Sequence, residues 1–298
     1  MRDIAFLVSS DILPGREGAR EDVHEFELEF GAIEPPCRAA GFALHPVVWD
    51  EGVDPAAWDG LVIGPTWDYT RKRDAYLDAL DRFAAARPLL NPPHVVRWNI
   101  EKTYLRDLAA AGAPTVPTIW AERADAAEIE RAFAAFACDE VVVKPVVGAS
   151  AWRQARVRRG DPAPAADAMP PAEAMIQPFL PSIGEAGELT LMFFGGVFSH
   201  ALIKRPAKGD YRVQSIYGGV EERCDASAEE LELGRRALDA ACAICAVDSL
   251  LYARVDIVRG LDGRPALMEL ELIEPYYYPE QGPRTGALFA EALTRLLG

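Results

Sequence analysis

The stretch that most restricts the fold of this 298-residue chain is LYARVDIVRGLDGRPALMELELIEP, residues 251–275. Two runs of alternating apolar residues flank Asp262-Gly263, a dipeptide that favours a two-residue hairpin turn. With that turn Asp256 faces Glu269 and Arg254 faces Glu271. Facing side chains on one side of a strand pair sit about 5 Å apart at Cβ. Asp256, Glu269 and Glu271 therefore share one face, although a slip of one residue in the turn would exchange the faces. Like charges so placed repel unless a cation sits among them. Oxygen-only donors suit a hard ion such as Mg²⁺. A solvent-facing acidic strip is the other reading, and the hairpin alone does not separate the two.

The strip belongs to an acidic chain, with 31 Lys and Arg against 46 Asp and Glu and a net charge of -15. That balance speaks against nucleic acid as the main partner, because phosphate backbones need a basic surface. A nucleotide needs only a local pocket of positive charge and stays open. No run approaches the roughly 20 apolar residues of a membrane span. MRDIAFLVSSD is too short an apolar run for a signal peptide. A cytoplasmic protein without a membrane partner is expected, and a homodimer stays open. Five cysteines then imply free thiols. Cys242 and Cys245 form a CxxC, but inside an Ala- and Leu-rich helical run with no second pair. Two small core residues one turn apart are the expectation, and four scattered histidines give no zinc spacing.

Three zones follow one another. Residues 1–95 alternate strands (IAFLVSS, ALHPVVW, DGLVIGP) with helices, which predicts a parallel α/β sheet. The first helix is expected to end at Gly41, with Pro35 and Pro36 near its start. Ligands gather at the carboxyl ends of such strands, and GPTWDYT is one. Trp67 and Tyr69 there either touch a substrate or pack a turn. Residues 96–175 read as helix, strand (TVPTIW), a helix from Asp125 to about Phe136, and the β-rich DEVVVKPVVGASAWRQARV. A Pro- and Ala-rich loop follows. Residues 176–298 read as largely β, with YRVQSIYGG as a strand, a helix over 228–246, the acidic hairpin and a last helix. The fold class is α/β, in part α+β.

Lys144 interrupts the apolar strand VVVKPV, and a lysine in such a place needs an anionic partner. Gly148 follows in the GASA run, which could form a loop over phosphates. Lys102 begins the helix after NPPHVVRWNIEK, and Lys204, Arg205 and Arg212 flank another strand. Singly, each is more often a solvated surface residue.

Taken in order, these motifs resemble the ATP-grasp superfamily, in particular its glutathione-synthetase-like and RimK-like ligases, over about 91–278. The resemblance implies an N-terminal α/β domain followed by two α+β subdomains that clamp ATP. NIEKTYLRDLAAAGAPTVPT and VVVKPVVGAS would carry the nucleotide lysines, Lys102 and Lys144, with Gly148 and Ser150 in the mobile loop. MIQPFL is similar to the adenine hinge, with Gln177, Phe179 and Leu180 as contacts. Glu185 or Glu188 would hold the ribose, and Arg205 and Arg212 would lie near phosphates or the substrate carboxylate. Asp256, Glu269 and Glu271 would be the Mg²⁺ ligands, with Glu271 standing where the family usually has asparagine.

Members of this family phosphorylate a carboxylate with ATP, and a nitrogen nucleophile attacks the acylphosphate. Little covalent chemistry falls to the protein in such a scheme. Glu274, Tyr276 and Tyr277 follow the metal strand and would border a compact, amino-acid-like substrate, together with Trp67 and Tyr69. The chain length and ELIEPYYYPEQ resemble the branch that cyclises O-ureido-D-serine to D-cycloserine. An intermolecular amino-acid or peptide ligase is the alternative. A nucleotide-binding regulator without turnover is the reading from a different class.

Overall fold

The computed structural model describes residues 1–148 and 151–298. The first sheet is built from β1 (Arg2–Val8), β2 (Phe42–Val48), β3 (Gly60–Ile63) and β4 (Leu89–Leu90), in the order β2-β1-β3-β4 and parallel throughout. Ile4 to Val8 are fully buried without a break, as a parallel strand covered on both faces requires.

Helix α1 (Val23–Ala39) contains Pro35 and Pro36 near its end, not its start, which corrects the expectation. Pro36 has no N–H to give to the Ala32 carbonyl. The last helix packs at that point: a Cβ added to Gly286 would lie 2.0 Å from the Ala32 oxygen. Two defects in helical propensity are thus one helix–helix contact.

After α2 (Arg73–Ala86) come α3 (Pro93–Asn99) and α4 (Tyr104–Ala110), so Lys102 lies in the turn before a helix and does not begin one. Strands β5 (Ile119–Ala121), β6 (Glu140–Pro145), β7 (Ala155–Arg158) and β8 (Ala174–Pro178) form an antiparallel sheet in the order β5-β8-β6-β7. Helix α5 (Ala126–Phe136) packs on it, and the Asp125 carboxylate accepts from the Glu128 N–H at 3.0 Å as its N-cap.

A short turn of helix, α6 (Ser182–Glu185), leads to the third sheet. Its strands are β9 (Glu188–Phe194), β10 (Val197–Arg205), β11 (Val220–Cys224), β12 (Tyr252–Arg259) and β13 (Pro265–Glu271), in the order β11-β10-β9-β12-β13 and antiparallel. YRVQSIYGG is not a strand: 211–214 are irregular and Ser215–Tyr217 form a 3₁₀ turn. Helix α7 (Ala228–Cys245) starts at a capping box of Ser227 and Glu230. It carries Cys242 and the buried Cys245, both free thiols. Helix α8 (Thr285–Leu297) returns to the first sheet through α1. Among the described residues no helix is long and apolar enough to cross a membrane.

The acidic hairpin has the expected pairing at its acids, with Arg254 opposite Glu271 and Asp256 opposite Glu269. The turn is nevertheless longer than expected. Gly260 donates to the Arg264 carbonyl at 2.8 Å, and Gly263 adopts a left-handed φ of +76°. The loop is therefore Leu261-Asp262-Gly263. A bulge compensates, for Asp256 pairs with Glu269 but Ile257 pairs with Leu267. Met268 is the extra residue, and it restores the register that the longer turn had shifted.

Candidate functional site

A cavity of about 790 Å³ lies where the three sheets meet, within the range of small-molecule and cofactor sites. One wall is the middle sheet. From β6 comes Lys144, from β8 Gln177, and beyond it Phe179 and Leu180. The floor is the acidic hairpin, and the bulge turns both Met268 and Glu269 toward the cavity.

The acids are held by cations, Lys204 and Arg254 set on the same face by the strand period and Lys102 reaching in from the turn before α4. Lys204, 4 % exposed, donates to Glu188 at 2.7 Å and to Asp256 at 2.9 Å. The Arg254 guanidinium reaches Asp256 at 3.1 Å and also pairs with Glu271. Lys102 pairs with Glu269. Burial alone would raise the Asp256 carboxyl, yet Arg254 and Lys204 pull it down to about 2. Burial acts the other way on Lys144 and pushes it down to about 8, against the fields of Glu269 and Glu188. Its ammonium lies 3.3 Å from the Met268 sulfur, and among the described residues it makes no ion pair. A half-buried lysine without an ion pair in a cavity suits an anionic ligand.

The donors can be tested against a nucleotide and its metal. The Gln177 amide donates to the Thr118 hydroxyl at 3.0 Å, while its carbonyl oxygen is buried without a partner among the described residues. That oxygen suits a donor on a base, and the apolar side chains of Leu180, Met175 and Met268, which line the same cavity, suit an aromatic ring. Asp256, Glu269 and Glu271 offer oxygens only, the chemistry that magnesium prefers. They stand paired to Lys102, Lys204 and Arg254, and among the described residues no three acids are arranged as an ion cage by themselves. The donor chemistry fits; the pairing must loosen for an ion to enter.

The other expected residues separate clearly. Gly148, Glu188, Arg212, Glu274, Tyr276, Trp67 and Tyr69 line the cavity, whereas Glu185, Arg205 and Tyr277 do not. Glu185 is exposed at the end of α6. Arg205 follows Lys204 on β10 and so points to the opposite face, where it pairs with Glu222 at 2.8 Å. Arg212 is forked onto Asp210 and covers the Tyr217 ring at 3.6 Å. The tyrosine run alternates likewise. Tyr276 and Tyr278 meet edge to face at 4.9 Å, while Tyr277 is buried against Phe194 and Tyr252. Ser150 lies outside the described residues.

Three contributors were not expected to act here: Lys204, Arg254 and the pair Arg20–Asp22. The first two carried a readable signal. Lys204 ends the apolar run ALIK, as Lys144 interrupts its own, and Arg254 lies two residues from Asp256 on one face. Arg20 and Asp22 come from the irregular segment before α1, which has no periodicity to read.

Comparison with known proteins adds the following. A family model described as the N-terminal domain of D-cycloserine synthetase DcsG matches residues 4–91. The cycloserine biosynthesis protein DcsG of Streptomyces lavendulae is 31% identical over 274 residues, 88% of this chain and 91% of that protein. A crystal structure of D-cycloserine synthetase DcsG superposes with a TM-score of 0.84 at 27% identity, covering 99% of this chain and 100% of the other. The ATP-grasp ligase PsnB, complexed with a minimal precursor, Mg and ADP, is 16% identical over 98% of both chains with a TM-score of 0.63. At that identity the likeness is one of fold.

Proposed function

The chain belongs to the DcsG family of ATP-grasp ligases, and from that premise we propose that it cyclises O-ureido-D-serine to D-cycloserine at the expense of ATP. The observation that carries the nucleotide half is Lys144, half-buried and, among the described residues, without an ion pair in a cavity whose opposite wall is acidic. Such a cavity suits a polyanion accompanied by a divalent cation. We divide the chain into 1–95, 96–175 and 176–298, with β8 of the middle sheet (Ala174–Pro178) running across the second boundary.

In this reading Gln177, Phe179 and Leu180 hold the base and Glu188 the ribose. Lys102 and Lys144 neutralise phosphate oxygens. Asp256, Glu269 and Glu271 hold magnesium, which when bound offsets the charge of the phosphates. Lys102 and Arg254 neutralise these carboxylates in the absence of ligand and turn to the phosphates and the reacting carboxylate when it binds. Arg212 and Gly148 border the same space. Arg205, on the far face of β10, has no part in this scheme.

The substrate carboxylate attacks the γ-phosphorus, the bond to ADP breaks, and an acylphosphate results. The ureido nitrogen bonded to oxygen then attacks the acyl carbon. Phosphate leaves, the attacking nitrogen gives its proton to solvent, and the ring closes. Water adds to the carbamoyl carbon, the bond from that carbon to the ring nitrogen breaks, the nitrogen takes a proton from the water, and carbamate leaves. Positioning and charge neutralisation carry the rate. Glu274, Tyr276, Trp67 and Tyr69 border the substrate, and Tyr277 supports them from the core.

The test is to incubate the chain with ATP, Mg²⁺ and a panel of small amino acids and to follow ADP, phosphate and products. ADP, phosphate and D-cycloserine from O-ureido-D-serine alone are expected. ADP release that requires two amino acids together would instead make it an intermolecular ligase. ATP binding without substrate-stimulated ADP would make it a regulator.

A further inference from the structure

A short hydrogen-bond relay crosses the middle sheet and ends at the cavity on an acceptor that nothing in the chain satisfies. Val142 of β6 pairs with Gln177 of β8. On the other side of β8, Ile119 faces Ile176, and the same register carried one residue further sets Thr118 opposite Gln177. Residues that face each other across an antiparallel pair lie on one side of the sheet. The Thr118 hydroxyl donates to the Val116 carbonyl at 2.9 Å, and its oxygen accepts from the Gln177 amide N–H at 3.0 Å. Val142 and Gln177 line the cavity, whereas Thr118 stands behind Gln177 and does not.

The relay has only one direction. A hydroxyl carries a single hydrogen, and Val116 takes it. Toward Gln177 the Thr118 oxygen can therefore only accept, which turns the amine half of the amide to Thr118 and the carbonyl half away. The far end of the relay is tied down as well. Val116, 1 % exposed, gives its N–H to the Leu267 carbonyl at 3.1 Å, and Leu267 gives its own to the Pro114 carbonyl at 2.7 Å. The backbone that offers the Val116 carbonyl is thus fastened to the acidic hairpin. At the near end Gln177 is 2 % exposed, and its carbonyl oxygen is buried without a partner among the described residues. A buried acceptor left without a donor costs free energy that a ligand N–H recovers.

We infer that Thr118 is a positioning residue that makes this cavity select a base with an exocyclic amine, such as the 6-amino group of adenine, over its 6-oxo counterpart. The inference rests on the nucleotide half of the reading above and deepens it. A 6-oxo base sets oxygen against oxygen at Gln177. The amide cannot turn its amine half to meet that oxygen while Thr118 holds it. Thr118 itself touches neither the base nor the reacting atoms; it acts by fixing which end of Gln177 the base meets.

The experiment measures binding of ATP and of ITP by calorimetry, with Mg²⁺ and without any amino acid. On the base, ITP differs from ATP along that edge alone. ATP is expected to bind wild type about 30-fold or more tightly. Thr118→Val keeps the shape, removes both hydrogen bonds of the hydroxyl and frees the amide to turn. Its ratio should fall to within about fivefold, ITP gaining as ATP loses, and Thr118→Ser should restore the wild-type ratio. A merely structural defect would weaken both nucleotides alike, so an unchanged ratio in Thr118→Val overturns the inference. Equal binding of ATP and ITP by wild type also overturns it, and that comparison needs no variant to fold. Binding of neither nucleotide would overturn the nucleotide reading and this inference with it. Loss of the cyclisation reading leaves the ratio untouched.

Discussion

Glu271 is the residue at which this chain departs most from the pattern of its superfamily, which usually has asparagine there. Its surroundings show how a glutamate is tolerated. Arg254 pairs with it from the opposing strand, and the same guanidinium holds Asp256. Burial, together with the neighbouring Glu269 and Asp256, raises the Glu271 carboxyl in spite of Arg254. Glu271→Gln keeps the shape and removes one charge from the proposed metal site. The variant is expected to fold with an unchanged melting temperature within a few degrees and to lose on the order of 10–100-fold in turnover at ordinary Mg²⁺. Part of the loss should return at high Mg²⁺. Full activity at low Mg²⁺ would remove Glu271 from the ion site. The three acids were legible because strand alternation and a turn dipeptide determine which residues face each other. Their cations were less so. Lys204 ends the apolar run ALIK, but only the register of β10 shows that it, and not its neighbour Arg205, is aimed into the cavity.

At the scale of elements, the hairpin shows how a register can be read correctly through two errors that cancel. Asp262-Gly263 suggested a two-residue turn; the turn has three residues, and the Met268 bulge takes up the difference. A turn signal is local, whereas a bulge answers to what the strand packs against, so only the first can be seen in the sequence. The same limit applies to α1. Prolines mark helix starts by their missing N–H, yet here Pro35 and Pro36 sit in the last turns because α8 covers the carbonyl they leave free. Gly286 makes that cover possible. A methyl group there would meet the Ala32 carbonyl at 2.0 Å and Pro36 at 2.8 Å. Gly286→Ala therefore sets a gain in helix propensity of about 1 kcal/mol against displacement of two backbones. We expect a net loss of about 1–3 kcal/mol, read as a lower urea midpoint. Activity per folded molecule should be unchanged, since Ala32, Pro36 and Gly286 do not line the cavity. A more stable variant would show that α1 and α8 are less closely seated than described.

The whole molecule is tied together around the Tyr276–Tyr278 run, which joins the third sheet to the core of the first. His200 on β10 lies against that junction, 3 % exposed and 2.9 Å from the Ser199 hydroxyl. Burial, with the Arg223 charge acting in the same direction, pushes its imidazole down to about 4 from an ordinary value near 6.5. Above pH 6.5 the ring is neutral in folded and unfolded chains alike, and its contribution to stability does not vary. Between 6.5 and 4 the unfolded chain takes up a proton that the folded chain refuses. Stability then falls as pH falls, by at most about 1.4 kcal/mol per unit. Below 4 both states are protonated and no further loss comes from this group. Between pH 7 and pH 5 the wild type should lose roughly 1–2 kcal/mol more than His200→Asn, which keeps a partner for Ser199 and cannot titrate. Parallel stability curves for the two proteins across that window would mean that His200 is protonated in the folded state or reached by water. The junction under the tyrosines would then be looser than its packing implies, and the acceptor wall resting on it would have to be held from the cavity side.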